Sequence, residues 1–176
     1  ILTTNGFGGS KTDQAGAAKW AASHGYVVLS YSGLGFGADP QSGRRGSDCK
    51  ISLDDRQHDG AAGKQLVDFL GGLKAADDGT KVDYVVKDRV AHDGKVHPGD
   101  VRVGMVGGSY GGQIQFAVAA LDPRVDTIVP LITWNDLSYS LAPNNATLAP
   151  GSVSYAVPGT EKIDWTTAFF GLGIAD

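Results

Sequence analysis

The chain has 176 residues, of which 41% are hydrophobic and 19% charged, a size and composition typical of a folded domain rather than a disordered tail. Its net charge is −4, and its 15 lysines and arginines are scattered, so it lacks the basic stripe that binding to a phosphate backbone demands. No apolar run approaches the roughly 18 residues needed to span a bilayer. We therefore expect neither a nucleic-acid partner nor a membrane span.

The two ends of the chain are unusual. It begins with an apolar and β-branched run, Ile1–Thr4, and it stops on the apolar stretch Phe169–Asp176. Because a strand needs neighbours and the last stretch has neither a cap nor a polar tail, we expect an internal piece of a longer polypeptide. A processed mature chain is the alternative. Cys49 is the single cysteine and cannot close a disulfide within the chain, so its expected role is structural.

Short β-rich runs alternate with longer helix-like runs, which predicts an α/β fold with a mostly parallel sheet. The first strand is predicted at Ile1–Thr4. A helix follows over Thr12–Ser23, with one of its first two residues as the cap and with Gly25 closing its end. The continuous apolar run Tyr26–Tyr31 predicts a second strand, buried on both faces.

A long glycine-rich loop from Ser32 to Ser52 leads to a predicted helix over Asp54–Leu70, with acidic residues in its first turn. Residues 71–100 are polar and rich in Asp, Gly and Lys, and a β-hairpin around Val82–Val86 is expected there. The run Val101–Val106 predicts the third buried strand.

The last third of the chain changes character. A short apolar helix is predicted at Gln113–Leu121, and another buried strand at Val125–Trp134 despite Pro130. Beyond Asp136, the periodic apolar positions give way to Asn, Ser, Pro and Gly. We therefore expect a partial domain core over residues 1–136 and the beginning of a cap or inserted segment over residues 137–176.

The most informative motif is G-x-S-x-G, formed by Gly107, Ser109 and Gly111 between a predicted strand and a predicted helix. A serine on a sharp strand-to-helix turn needs small neighbours, and its hydroxyl then projects beyond the sheet at the positive end of the helix. The alternatives are a glycine-rich turn that binds nothing and a phosphate-binding loop. The second is excluded because no G-K-[ST] follows. The motif predicts Ser109 as a nucleophile.

Acyl transfer also needs donors for the oxyanion that develops on the substrate. The backbone N–H of Tyr110, directly after the serine, is the first expected donor. The second should come from a loop after an earlier strand, and Asn5–Gly9 is such a loop. We assign this donor to the N–H of Phe7, with a tight turn that binds nothing as the alternative.

These motifs together resemble a known family. The loop Asn5–Ser10, the turn Gly107–Gly112, the pair Asp122-Pro123 and the strand from Val125 look like the N-terminal half of an α/β-hydrolase core. More closely, residues 1–136 resemble the X-Pro dipeptidyl-peptidase and cocaine-esterase family. The resemblance implies an α/β-hydrolase fold and hydrolysis of an ester or amide through an acyl-enzyme, a reaction that needs no metal or organic cofactor.

The sequence departs from that family at two points. Members commonly carry D-x-R-G-x-G-x-S after the second strand, but Ser30–Gly37 lacks both the acid and the arginine. Some members use a tyrosine hydroxyl in the oxyanion loop, where this chain has Phe7. These departures weaken a specific peptidase assignment and favour an ester substrate over a peptide.

The partners of the nucleophile are missing from the expected places. In this fold the chain order is serine, then acid, then histidine, yet all the histidines precede Ser109 and are expected to face solvent; they are His24, His58, His92 and His97. Asp136 is the one later acid placed where a triad acid could sit, and we do not expect it to serve.

The resemblance places the acid and the base after the cap, in the remainder of the polypeptide, so the 176-residue piece alone should not turn over substrate. The expected partners are a small-molecule ester or peptide and the rest of the protein's own chain. The alternative hypothesis is a catalytically silent hydrolase-like domain that serves in binding or assembly.

Overall fold

The computed structural model describes residues 1–37, 49–143 and 160–174, and the chain forms two compact units, Ile1–Thr133 and Trp134–Asp176. Four strands form the sheet of the first unit: β1 (Leu2–Thr4), β2 (Leu29–Tyr31), β3 (Val103–Gly108) and β4 (Val125–Leu131). They lie in the order β2-β1-β3-β4, and every neighbouring pair is parallel. The predicted α/β fold with a parallel sheet is confirmed.

Helical segments connect the strands, as parallel pairing requires. In the first unit they are α1 (Ala15–Ser23), a short π-helix (Arg56–Gly60) that runs into α2 (Ala61–Leu70), and α3 (Tyr110–Ala119). The second unit contains α4 (Leu137–Leu141) and α5 (Ile163–Ile174), where the N–H of Lys162 donates to the carbonyl oxygen of Leu141 at 2.8 Å. None of the helices described is both long and apolar enough to cross a membrane.

The core of the first unit lies between the sheet and the helices α2 and α3. Leu2 and Met105 of the sheet are buried with Val67 of α2 and Val118 of α3. Each such side chain contributes roughly 1.5–3 kcal/mol when fully buried. At Gly63, a Cβ atom would clash with the Val118 side chain, so glycine permits the close approach of the two helices.

The parallel sheet has two chemically distinct edges. The carboxyl edge carries the loops that begin after Thr4, Tyr31, Gly108 and Leu131, which is where α/β proteins commonly bind ligands. The amino edge carries the segments that lead into the strands. The loop Asn5–Gly9 and the G-x-S-x-G turn therefore share the carboxyl edge.

The first helix and the second strand both begin later than the sequence predicts. The Asp13 carboxylate accepts the N–H of Ser10 at 3.1 Å, so it stabilises the preceding turn, and α1 begins at Ala15. The N–H of Tyr26 donates back to the carbonyl oxygen of Ala21 at 3.2 Å, closing the end of α1. Tyr26 is therefore exposed, and β2 covers only Leu29–Tyr31, half-buried.

The segment between β2 and β3 corrects two further predictions. Asp54 is not helical: its φ is 64°, and helical structure begins at Arg56, with the Asp55 carboxylate capping it. Val82–Val86 does not form a hairpin, because Lys87 instead forms an antiparallel bridge with Val101, just ahead of β3. That pairing leaves β3 at Val103–Gly108, two residues later than predicted.

The elements after β3 also differ from their predicted limits. Helix α3 begins at Tyr110 rather than Gln113, because the carbonyl oxygen of Ser109 already accepts helical bonds from the N–H groups of Gly112 and Gln113. Strand β4 ends at Leu131 and is not buried on both faces, since its alternate residues Thr127, Val129 and Leu131 are exposed.

Candidate active site

Ser109 lies at the turn between β3 and α3 with φ 55° and ψ −121°. A non-glycine residue with positive φ is strained, and such strain concentrates at functional sites. The N–H of Ser109 donates to the carbonyl oxygen of Leu131 at 2.9 Å, while its own carbonyl accepts from Gly112 and Gln113. The backbone of Ser109 is thereby fixed, and none of the described residues hydrogen-bonds to its hydroxyl.

The glycines around Ser109 are required by packing. A Cβ atom at Gly107 would lie 2.6 Å from the carbonyl oxygen of Gly111, and one at Gly111 would lie 2.7 Å from the carbonyl oxygen of Thr4. A Cβ atom at Gly112 would lie 2.9 Å from the carbonyl oxygen of Leu131. We call the segment Gly107–Gly112 the elbow.

The loop after β1 approaches the elbow directly. An ideal Cβ atom on Gly6 would lie 3.9 Å from the Cβ of Ser109, so the Gly6 backbone is in van der Waals reach of the serine side chain. The two loops that the sequence assigned to one site, at Phe7 and at Ser109, are thus neighbours.

Asn5 determines the orientation of the peptide that follows Gly6. This side chain is fully buried; its Oδ1 accepts the N–H of Gly33 at 2.9 Å, and its Nδ2 donates to the carbonyl oxygen of Gly6 at 2.7 Å. The same carbonyl accepts the N–H of Gly9 at 3.1 Å. In a trans peptide the N–H points opposite to the C=O, so the N–H of Phe7 is directed away from the Asn5 side chain.

A row of aromatic rings links the two loops. The ring of Phe7 meets that of Phe36 edge-on at 5.3 Å between centroids, and Phe36 meets Tyr110 in the same way at 4.9 Å. Such edge-to-face pairs contribute about 0.5–1.5 kcal/mol each beyond burial. Because the Tyr110 ring is fully buried in this row, its backbone N–H is held at the first position of α3. That N–H is one of the four that no carbonyl of the helix accepts.

The carboxyl groups of Asp54 and Asp59 lie near the Tyr110 hydroxyl. Asp59 accepts from the hydroxyl of Ser52 at 2.5 Å and from the N–H of Asp54 at 3.1 Å. Burial, and then the charge of Asp59, raise the pKa of Asp54 to about 8, so Asp54 is mainly protonated at neutral pH. Burial, followed by the charges of both carboxyl groups, also raises the pKa of the Tyr110 hydroxyl.

A cavity of about 190 Å³ lies beside these groups. Tyr31, Asp59, Leu66, Tyr110 and Ile114 contribute to its wall, but Ser109 does not. Because Ser109 is not part of its lining, this cavity does not open onto the serine.

The histidines do not gather around Ser109. His92 faces Asp126 at 3.7 Å, and the Asp126 carboxylate accepts the N–H of Val103 at the amino edge. Six residues of strand separate Val103 from Ser109, which is about 20 Å at 3.3 Å per residue. His24 closes α1, which runs back toward the amino edge, and it is exposed there.

The other two histidines are engaged with neighbouring acids. His97 Nε2 lies 3.0 Å from Asp93, and His58 Nδ1 lies 3.0 Å from Asp55 on the exposed side of the π-helix. Asp136 caps α4 by accepting the N–H of Tyr139 at 3.0 Å, and this bond lowers its pKa. Its observed role is that of a helix cap. The described residues contain no group of three or more acidic, His or Cys side chains placed to hold a metal ion.

The family model of the X-Pro dipeptidyl-peptidases (S15 family) matches residues 1–166. The chain belongs to this family, whose members are serine hydrolases, and the resemblance drawn from its motifs is confirmed. No curated protein and no solved structure matches the chain.

Sequence reasoning missed three residues that the structure brings to the elbow. The sequence places Asn5 in a loop and Gln115 in an apolar helix, where an amide between Ile114 and Phe116 is the available signal. The sequence predicts Ile132 within a strand, yet this residue has φ 42°, is 88% exposed, and would lie 3.7 Å from a Cβ on Gly108. A β-branched residue rarely adopts positive φ, so Ile132 is a strained apolar residue at the rim of the site.

Proposed function

We propose that this protein is a serine hydrolase that cleaves an ester or an amide through an acyl-enzyme, with Ser109 as the nucleophile. The observation that carries this proposal is the strained backbone of Ser109 at the end of β3, with Gly6 of a second loop against its Cβ. Membership of a serine hydrolase family supports it. A glycine would fit the turn with less strain, so the presence of a serine there is explained by a function of its hydroxyl.

In the proposed reaction, Ser109 Oγ attacks the carbonyl carbon of the substrate while a base takes the hydroxyl proton. The carbonyl oxygen becomes an oxyanion, which accepts hydrogen bonds from the N–H groups of Tyr110 and Phe7. Collapse of this intermediate breaks the bond to the leaving group, which receives the proton and leaves an acyl-serine. A water molecule then releases the acid by the same steps in reverse order.

The base and the acid of the triad are proposed to lie outside the segment that contains Ser109 and its four histidines. Three of those histidines are paired with carboxylates, and His24 stacks on Trp20 at 4.3 Å between ring centroids. In this fold the histidine follows the nucleophile in the chain, whereas all four precede it. Residues 137–176 are proposed to begin a cap or inserted segment.

The first test is active-site labelling of the complete protein with a fluorophosphonate, which traps an activated serine. We expect covalent labelling at Ser109, loss of labelling in Ser109→Ala, and normal labelling in Ser23→Ala, which removes an exposed serine of α1. The isolated 176-residue chain should label far more slowly because it lacks the base. A complete protein whose Ser109 stays unlabelled would instead be a catalytically silent domain used in binding or assembly.

A second test separates the two substrate classes. The complete protein is offered an Ala-Pro-nitroanilide and short acyl nitrophenyl esters, and kcat/KM is compared. Family membership suggests peptide substrates, whereas Phe7 provides no hydroxyl to the oxyanion loop. An amide is the harder substrate, so we expect the esters to be cleaved faster. Preferential cleavage of the nitroanilide would assign a peptidase.

A further inference from the structure

A single buried glutamine lies directly under the elbow. Gln115 is in the second turn of α3, and its side chain is fully buried although its neighbours in the helix are mainly apolar. Burying an amide among apolar groups is unfavourable unless each of its polar atoms finds a partner. Its contacts therefore indicate what the residue does.

The amide of Gln115 joins the three segments that meet at the elbow. Its Nε2 donates to the carbonyl oxygen of Gly111 at 2.8 Å and lies 3.3 Å from the carbonyl oxygens of Gly107 and Val129. Its Oε1 accepts the N–H of Val129 at 2.8 Å. The end of β3, the first turn of α3 and strand β4 are thus bonded to one side chain.

These bonds act on the two arms of the strained turn. Gly107 precedes Ser109 by two residues and Gly111 follows it by two, so an amide that binds both carbonyls limits how the intervening backbone can relax. Val129 belongs to the same strand as Leu131, whose carbonyl oxygen holds the N–H of Ser109 at 2.9 Å. Loss of the amide would remove the hydrogen bonds to Gly107 and Gly111 and, at the same time, the bond to Val129.

We propose that Gln115 is a positioning residue that holds the elbow so that the Ser109 hydroxyl and the Tyr110 N–H keep their orientation during acylation. This proposal rests on the proposed serine hydrolase function. Gln115 does not itself touch the substrate, because its amide is fully buried behind the turn.

With a glutamate at position 115, the hydrogen bonds that hold the elbow would depend on pH. Ionised, it would place a second oxygen against the carbonyls of Gly107, Gly111 and Val129. Protonated, its O–H could donate to the Gly111 carbonyl while its other oxygen still accepted the N–H of Val129. Strand β3 carries no titratable side chain, α3 carries only Tyr110 and β4 only Asp126. Of the helices packed against α3, the π-helix carries Arg56, His58 and Asp59, and α2 carries Lys64 and Asp68.

The test compares Gln115→Glu and Gln115→Met with the wild type in the complete protein. The rate of fluorophosphonate labelling at Ser109 is measured from pH 5 to pH 9, and each variant is expressed relative to the wild type. We expect the ratio for Gln115→Glu to fall at least 10-fold as pH rises. Gln115→Met, similar in volume but without a donor, should be reduced about 10-fold at every pH.

Gln113→Glu is the matched control. It makes the same change two residues away on α3, where the amide is half-buried and accepts only from the hydroxyl of Thr133, at 3.2 Å. Its ratio should not depend on pH. A flat profile for Gln115→Glu, or normal labelling of Gln115→Met, would overturn the proposal.

Amide hydrogen exchange separates this inference from the proposed function. In Gln115→Met, which should fold because its volume is conserved, we expect the N–H groups of Ser109 and Val129 to exchange at least 10-fold faster, with α1 unchanged. Unchanged exchange at both positions contradicts the positioning role even if the wild type is never labelled. Absence of labelling in the wild type, with faster exchange in the variant, rejects the hydrolase function and leaves the support of the elbow standing.

Discussion

Ser109 is held in a conformation that costs about 1–3 kcal/mol, and its surroundings supply the compensation. The N–H and the carbonyl oxygen of this residue are both hydrogen-bonded, and glycines on each side remove the clashes that any larger residue would create. The backbone of Ser109 is therefore fixed, and in the proposed reaction only its side chain has to be oriented by the base.

Asn5 provides a residue-scale test of the proposal that the N–H of Phe7 is an oxyanion donor. In Asn5→Ala the carbonyl of Gly6 loses one of its two donors, so the peptide that carries the N–H of Phe7 can rotate. We expect kcat for ester hydrolysis to fall roughly 10- to 100-fold with a smaller change in KM, since removal of one oxyanion donor costs about 100- to 1000-fold. Asn135→Ala, at an exposed position, serves as the control. This role would be refuted if Asn5→Ala lowered only the stability of the protein and left kcat per folded molecule unchanged.

Asp54 makes the stability of the fold depend on pH. Its pKa is raised to about 8 in the folded chain, against about 4 when unfolded, so the folded state binds more protons between these values. The contribution of Asp54 to the free energy of unfolding should therefore fall as pH rises from about 4 to about 8, by at most about 1.4 kcal/mol per pH unit. In Asp54→Asn this part of the decline should disappear, as measured by urea unfolding at several pH values.

Asp55→Asn is the matched control for that experiment. Hydrogen bonding to His58 lowers the pKa of the exposed Asp55, so any stability it adds is present above its unfolded pKa and lost as pH falls. The two variants should therefore differ from the wild type with opposite pH dependence. If Asp54→Asn runs parallel to the wild type across the range, Asp54 is ionised in the folded state.

At the scale of elements, helix α3 packs closely against the end of β1. Gly111→Ala would place a Cβ atom 2.7 Å from the carbonyl oxygen of Thr4 and 2.9 Å from that of Asn5, both backbone atoms. We expect a loss of about 3 kcal/mol in the free energy of unfolding. The matched substitution is Gly16→Ala in α1, where no atom lies within 4 Å and a gain of about 0.5–1 kcal/mol is expected. Equal effects of the two substitutions would mean that α3 does not pack as described.

The presence of an element was predictable where its signal is local. The predicted limits of an element were wrong where those limits depend on contacts with other elements. Apolar runs revealed each of the four strands, but the limits of β2 and β4 were overestimated because Tyr26 closes α1 and β4 is covered on one face only. The G-x-S-x-G motif revealed the turn at Ser109. The bonds of Asn5 to Gly33 and of Gln115 to Val129 span 28 and 14 residues, and no local pattern encodes them.

At the scale of the whole molecule, the amino edge is devoted to stability. Arg124 is 4% exposed and joins Asp68 at 2.5 Å, Asp122 at 2.6 Å and the carbonyl oxygen of Pro98 at 3.1 Å. It thus connects α2, the end of α3 and the segment that leads into β3.

Arg124→Ala should lower the free energy of unfolding by about 3 kcal/mol, because it removes the buried counter-charge of Asp122 and Asp68 and leaves them only the more exposed Lys64, at 3.9 and 3.8 Å. Since this network lies at the opposite edge from Ser109, the labelling rate per folded molecule should not change. Arg102→Ala, which removes an exposed arginine paired with Asp88, should affect stability much less. A change in the labelling rate of folded Arg124→Ala would show that the two edges are coupled.

The strain at position 109 has a consequence for how this fold tolerates change. Glycine adopts positive φ without penalty, and its greater freedom in the unfolded chain costs only about 0.5–1 kcal/mol. Against about 1–3 kcal/mol of relieved strain, Ser109→Gly should therefore give a protein that melts at a higher temperature than the original. The glycine variant would be more stable than the original protein, so selection for stability alone would not retain the serine.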